Sequence, residues 1–182
     1  MGAAAENQAA AALFEEGLRL KESGRLDEAE RDFRRALQAD PADANIHFEL
    51  ANLYAARAGR SRNSEVLSAA ERELQQAVML TPGFIAAHYN LGIVHKNQRR
   101  YEEARENFRR VLELDPNQTN ARLQIGEIYE RQGFFDDAES VYREAREHDG
   151  ANSDVRNALE DLARNREMAK ANMAARNRDR IV

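Results

Sequence analysis

The chain has 182 residues, of which 42% are hydrophobic and 32% charged, and its formal net charge is −5. A net acidic chain is not a nucleic-acid binder by composition. The absence of cysteine excludes disulfide bonds, cysteine metal sites and thiol nucleophiles. No apolar run has the length that a bilayer crossing needs, so membrane insertion is not expected. With only nine glycines and three prolines, long helices are predicted.

Residues 1–9 form an N-terminal extension that lacks the basic region and the apolar core of a signal peptide. Gly2 would suit myristoylation, but Glu6 stands where that motif needs serine or threonine. We therefore expect a cytoplasmic protein. A periplasmic or lipid-anchored protein is the alternative if an upstream signal has been removed.

The stretch 10–43 contains two amphipathic helices. Gly24 stands between them, where a helix ends in a left-handed residue, and Pro41 closes the second helix because proline cannot continue a hydrogen-bonded turn. The second helix is marked by apolar residues at helical spacing, namely Leu26, Ala29, Phe33, Ala36 and Leu37.

This pattern recurs along the chain. Gly92 and Gly126 lie 34 residues apart, and so do Ala104 and Ala138. A period of 34 residues with small residues in phase is typical of stacked helix pairs. The recurring positions of the first helix are Gly17, Ala51, Gly92 and Gly126, and those of the second are Ala29, Ala70, Ala104 and Ala138, followed by Phe33, Leu74, Phe108 and Tyr142.

On these residues the chain resembles the tetratricopeptide repeat (TPR) family over roughly residues 10–152. The resemblance implies an all-α solenoid of antiparallel helix pairs, wound as a right-handed superhelix with a concave face. The predicted repeats are 10–43, 44–84, 85–118 and 119–152, followed by a capping helix and a basic tail at 153–182.

The second repeat, 44–84, holds seven extra residues. Gly59 is predicted to end its first helix, and the insertion is interpreted as a lengthened surface loop, which costs little stability. The alternative is an accessory contact through a basic tip formed by Arg57, Arg60 and Arg62.

After Gly150, Asn152 or Ser153 can cap a further helix. An apolar stripe at Val155, Leu159 and Leu162 is expected to cover the last repeat, because the end of a repeat array needs such a cap. The basic tail that follows is interpreted as a solvated helical extension, with a frayed end or a partner-binding arm as alternatives.

The four histidines are His47, His88, His95 and His148. His88 and His95 share one helix face, but no HExxH motif and no acidic third ligand accompany them, so packing is the preferred interpretation. The glycines lack the spacing of a phosphate-binding loop. We predict no catalytic residue, no metal and no cofactor.

The TPR resemblance implies that a concave groove is lined by the first helix of each repeat. The fifth place of that helix gives an apolar stripe, the ninth place gives both apolar and polar residues, and Lys21 and Lys96 lie near the ends of the groove. The predicted groove residues are Phe14, Leu18, Lys21, Phe48, Asn52, Tyr89, Asn90, Ile93, Lys96, Leu123 and Glu127.

Some TPR domains clamp the C-terminal carboxylate of a chaperone. Asn52 and Asn90 match the two asparagine places of that clamp, but its cation places read Phe48, Asn120 and Gln124. The carboxylate clamp is therefore disfavoured, although the two amides can still bond to a peptide backbone.

We accordingly predict a scaffold or adaptor that binds a protein or peptide segment in its groove without turnover. The partner is not identified by the sequence. The alternatives are an envelope assembly factor, for a pilus or the outer membrane, whose signal has been removed, and a self-assembling scaffold that forms a homo-oligomer. An enzyme or an RNA binder is disfavoured.

Overall fold

The computed structural model describes residues 2–61 and 64–179 and divides into two compact units, Met1–Asn107 and Phe108–Val182. Within the described residues the chain forms nine α-helices and no strand. None of these helices is both long and apolar enough to cross a membrane. The helices are α1 (Gly2–Glu22), α2 (Leu26–Ala39), α3 (Ala44–Ser61), α4 (Ser64–Leu80), α5 (Ile85–Asn97), α6 (Tyr101–Leu114), α7 (Thr119–Arg131), α8 (Phe135–His148) and α9 (Ser153–Asp179).

The helices pack in consecutive pairs, α1 with α2, α3 with α4, and α7 with α8. In the first and last pairs, three-residue turns make the two helices antiparallel. Gly24 has φ +78° and Gly133 has φ +82°, and Arg99 takes the same left-handed conformation at φ +62° between α5 and α6. At each of these residues the turn closes with a hydrogen bond back to the end of the first helix, as in a Schellman cap.

The turns that lead into α3 and α7 are organised by an aspartate placed before proline. Asp40 accepts the backbone N–H of Ala42 at 3.1 Å, and Asp115 accepts that of Asn117 at 3.0 Å. Such side-chain bonds hold the backbone in a turn, and the proline prevents the preceding helix from continuing.

Small residues and one large residue from each pair build the cores. In the first unit Ala29, Phe33 and Leu74 are buried, and Gly17 lies directly under the ring of Phe33. In the second unit Leu162 of α9 packs with Ala138 and Tyr142 of α8. Within each unit, close helix crossings at alanine or glycine are filled by the neighbouring aromatic or leucine side chain.

The capping helix begins as predicted. Asn152 Oδ1 accepts the backbone N–H of Asp154 at 2.9 Å, and Val155 is fully buried against the preceding helices. The helix continues through the tail to Asp179, and residues 1–9, which were assigned to an extension, lie in α1 from Gly2 onward.

The prediction that Gly59 ends the first helix of the second repeat is wrong, because α3 continues to Ser61. The insertion lengthens helices instead of forming a long loop, since α3 has 18 residues while α5 and α7 have 13 each. Single glycines are tolerated inside a helix at a cost of about 1 kcal/mol.

Candidate functional site

In the first unit, the predicted groove residues of α1, α3 and α5 are partly exposed. The ring of Phe14 lies 5.8 Å from that of Phe33, and the ring of Phe48 lies 4.8 Å from that of Phe84. These aromatic residues therefore serve packing on one side and face solvent on the other. The residues of this set other than Lys21, here called the groove face, are Phe14, Leu18, Phe48, Asn52, Tyr89, Asn90, Ile93 and Lys96.

The structure brings two predicted asparagines into direct contact. Asn90 Nδ2 donates to Asn52 Oδ1 at 2.6 Å, which links α5 to α3 across the groove face. Among the described residues this is the one side-chain hydrogen bond of the two amides, and it leaves most of their capacity unused, since each carboxamide carries two donors and one oxygen acceptor. The pair can therefore offer a donor and an acceptor to a third group.

Lys21, predicted as a groove-rim cation, is held by the protein itself. Its Nζ lies 2.5 Å from Glu49 Oε2, and both side chains are partly buried. The charge of Lys21 is thus compensated within the unit, a consequence of tertiary packing between α1 and α3 that spacing along the chain does not reveal.

Two predicted groove residues, Leu123 and Glu127, belong to the second unit. They line a crevice of about 570 Å³ between α7 and α9. Glu130 accepts bonds from Tyr142 Oη at 3.3 Å and from Asn165 Nδ2 at 2.5 Å. Burial raises the pKa of the Tyr142 phenol well above its usual range, and the carboxylate of Glu130 raises it further.

Two of the histidines, His47 and His88, bind the turn that precedes their helix, a role that sequence reasoning missed. His47 Nε2 lies 3.3 Å from the carbonyl oxygen of Pro41, and His88 Nε2 lies 3.0 Å from that of Pro82. In the second unit Arg122 makes the equivalent bond, from Nη1 to the carbonyl oxygen of Pro116 at 2.6 Å. In the sequence, this role is marked by a polar residue six positions after each proline.

His95, which shares a helix face with His88, has its own partners in the first unit. His95 is buried, its Nε2 lies 3.3 Å from Glu71 Oε1, and its Nδ1 lies 3.3 Å from Asn107 Nδ2. Among the residues that the structure describes, no group of three or more His, Cys, Asp or Glu side chains could hold a metal ion.

The basic tip, which was the alternative interpretation of the insertion, lies only partly within the described residues. Arg57 is bonded to Glu30 and Asp27 of α2, so it belongs to a partly buried polar cluster rather than to a separate basic tip. Tyr54 Oη donates to Glu30 Oε1 at 3.1 Å in the same cluster, and burial raises the pKa of its phenol to about 12. Arg62 and the side chain of Arg60 lie outside the described residues.

Two curated relatives match parts of the chain. A protein O-mannosyl-transferase from Caenorhabditis elegans is 30% identical over 80 residues, which is 44% of this chain and 11% of the relative. RNA polymerase II-associated protein 3 from Homo sapiens is 28% identical over 112 residues, which is 62% of this chain and 16% of that protein. The chain thus spans less than a fifth of the length of either relative.

Several solved structures share the fold. The structure titled first TPR of Spaghetti (RPAP3) bound to HSP90 peptide SRMEEVD has a TM-score of 0.63 and 26% identity, covering 70% of this chain and 95% of that one. A tetratricopeptide repeat protein from Parabacteroides merdae has a TM-score of 0.75 and 20% identity, covering 91% and 62%. YrrB, titled a TPR protein with an unusual peptide-binding site, has a TM-score of 0.68 and 22% identity, covering 85% and 76%.

Three family models match successive parts of the sequence. One described as TPR repeat covers residues 17–56, and two described as Tetratricopeptide repeat cover residues 85–118 and 121–152. Together they span more than half of the chain. The chain belongs to the tetratricopeptide repeat family.

Proposed function

We propose that the chain is a protein-interaction scaffold that binds a peptide segment of another protein along the groove face of the first unit. The observation that carries this proposal is the Asn52–Asn90 pair, set among partly exposed apolar side chains. Apolar contact area supplies affinity, while the two amides fix the direction of a bound main chain.

The free donor and acceptor of the asparagine pair suit a peptide main chain better than a ligand with a single functional group. The bond between the two residues uses Asn90 Nδ2 and Asn52 Oδ1. Asn52 Nδ2, a donor, and Asn90 Oδ1, an acceptor, have no hydrogen-bond partner among the described residues. A peptide group presents one acceptor and one donor, which these two atoms complement. Recognition of this kind is tolerant of sequence, and side-chain contacts then set the preference.

The comparisons support the class of ligand. Spaghetti (RPAP3) is bound to an HSP90 peptide, and YrrB has a peptide-binding site. This chain departs from the carboxylate clamp because Phe48, stacked on Phe84, stands at a cation place. We therefore propose a peptide ligand other than a clamped chaperone terminus.

The proposal includes no catalytic turnover and no nucleic-acid partner. TPR repeats typically form scaffolds, and each histidine of the first unit is engaged by a carbonyl or carboxylate of the protein. The match to a transferase covers only 11% of that protein. Self-association and a role in envelope assembly are alternatives that no particular contact favours.

The test is binding of a displayed peptide library to the purified chain. Selected peptides should bind the Asn52→Ala/Asn90→Ala variant about tenfold or more weakly, because two hydrogen bonds of about 1 kcal/mol each are lost. The Phe48→Glu/Tyr89→Glu variant should not bind them, since charge would enter the apolar part of the groove face.

The matched control is Gln76→Glu/Met79→Glu, which adds the same two charges at exposed positions of α4. Circular dichroism establishes that each variant keeps its helicity. Selected peptides that bind all of these folded variants with the affinity of the wild type would rule out the groove face as the binding surface.

A further inference from the structure

A crevice opens between α3 and α5 in the first unit, with α4 at its base, and is here called the α3–α5 crevice. Its volume is about 670 Å³, which lies within the range of about 300–1,000 Å³ that is usual for ligand pockets. It begins beside the asparagine pair of the groove face. Its lining residues on α3 are Ala51, Asn52, Ala55 and Ala58, and those on α4 and α5 include Leu67, Leu74, Ile93 and Asn97.

The insertion in the second repeat contributes to this wall. A first helix with the 13 residues of α5 would end before Ala58, whereas α3 has 18 residues and reaches beyond it. The alanine methyl groups leave room that larger side chains would fill, so the crevice admits an aliphatic side chain from outside.

The charge on the described lining of the crevice is that of a single arginine. None of its described lining residues is acidic, and Arg99 is the one that carries a charge. The guanidinium group of Arg99 makes no hydrogen bond or ion pair with any described residue, while the adjacent Arg100 side chain bonds to Glu71 at 2.6 Å and to Glu103 at 3.0 Å. A cation that is not compensated at the edge of an apolar cleft attracts an anionic group.

Arg99 is also held in an unfavourable backbone conformation. Its φ is +62°, and the corresponding turns of the first and fourth repeats place glycine there, Gly24 at φ +78° and Gly133 at φ +82°. A residue with a β-carbon is strained in this region, and such strain persists most often where the side chain has a task. The arginine therefore occupies a position that glycine would fill with less strain.

We propose that the α3–α5 crevice binds an acidic side chain of the peptide segment together with the aliphatic side chain next to it. The carboxylate pairs with Arg99, and the aliphatic group lies against the alanines of α3 and Ile93. This inference rests on the proposed function, because it assigns side chains to a segment whose main chain lies at Asn52 and Asn90. It specifies an internal acidic residue, since Phe48 rather than a cation adjoins the amide pair on α3.

The probes are three pools of short peptides, acetylated and amidated, with random flanks around a central Leu-Glu, Leu-Gln or Ser-Glu pair. A fourth pool ends in Leu with a free carboxylate. Binding is measured by fluorescence polarisation. The wild-type chain should bind the Leu-Glu pool about tenfold more tightly than the Leu-Gln pool, the size expected for one charge-assisted hydrogen bond, and more tightly than the Ser-Glu pool.

Two variants of one residue separate ligand binding from a structural role. Arg99→Gln removes the charge and should abolish the preference for Leu-Glu. Arg99→Gly should abolish it as well and at the same time raise Tm, because the strain at φ +62° is relieved. The control Arg35→Gln removes the same charge from an exposed site on α2 and should leave the preference unchanged.

Equal binding of the Leu-Glu and Leu-Gln pools to the wild type would overturn the inference, as would a preference that survives Arg99→Gln. Tighter binding of the pool with the free carboxylate would overturn it in favour of a chain terminus. If all pools bind alike and Phe48→Glu/Tyr89→Glu abolishes binding, the groove face stands and the acidic subsite fails. If no pool binds the wild type, the proposed function fails together with this inference.

Discussion

The ring of Phe33 lies so close to Gly17 that a β-carbon on residue 17 would stand 2.6 Å from Cε1 of the ring. Real β-carbons essentially never approach other heavy atoms to within 3.0 Å. Tyr142 covers Gly126 in the same way in the second unit. The approach of α1 to α2, and of α7 to α8, thus depends on the missing side chain.

Gly17→Ala should lower the free energy of unfolding by about 1–3 kcal/mol, because the methyl group overpacks the crossing. This loss is expected although alanine favours a helix by about 1 kcal/mol over glycine. In a Phe33→Leu background the same change at residue 17 should cost less, since leucine leaves room for the methyl group. Urea unfolding followed by circular dichroism measures both effects.

The control is Gly83→Ala, where a new β-carbon would meet no atom within 4 Å. We expect no significant change in stability for that variant. A loss at residue 83 as large as that at residue 17 would mean that the loss does not come from the contact with the Phe33 ring, and the packing account of the crossing would be wrong.

His47 should make stability depend on pH. Its Nδ1 lies 2.7 Å from Glu73 Oε2 and its Nε2 faces the carbonyl oxygen of Pro41, so both ring nitrogens meet acceptors. The hydrogen bond with Glu73 raises the pKa of the His47 ring above its ordinary value of 6.5. Because the pKa is higher in the folded chain, the contribution of His47 is fully present below pH 6.5 and is lost as pH rises through the folded-state pKa.

Urea unfolding at a series of pH values checks this expectation. His47→Gln should flatten the decline in stability above pH 6.5, and Glu73→Gln should do the same because the principal cause of the shift is removed. A decline of equal steepness in wild type and both variants would assign the pH dependence to other groups.

Arg122 should be replaceable by histidine and not by leucine. It is buried, and it donates to the carbonyl oxygen of Pro116 at 2.6 Å and to Glu144 at 3.3 Å. Arg122→Leu leaves that carbonyl without its donor and should cost about 2–3 kcal/mol. Arg122→His should cost clearly less, because His47 and His88 make the corresponding bond in other repeats. Thermal unfolding of the two variants is the measurement, and equal losses would contradict the shared role of this position.

The helix pairs could be predicted because their signals are local. Gly24 and Pro41 mark where helices end through backbone geometry alone, and the spacing of Ala29 and Phe33 marks the packed face. The helix end predicted at Gly59 was wrong, since glycine is only mildly unfavourable inside a helix. The extra turn of α3 outweighs the cost of that glycine. The groove residues are partly exposed, and their role in binding stays a prediction.

By itself, the sequence determined that helices of this length pair and repeat, because helix formation and the spacing of small residues act between neighbours along the chain. Only the tertiary structure decided which side chains meet. Lys21 is neutralised by Glu49, Arg57 by Glu30, and Asn90 reaches Asn52, in each case across 27 residues or more. The side chains that carry charge or can form hydrogen bonds are known from the sequence. Whether those side chains bond within the protein or remain available to a ligand depends on contacts that form only when distant helices pack.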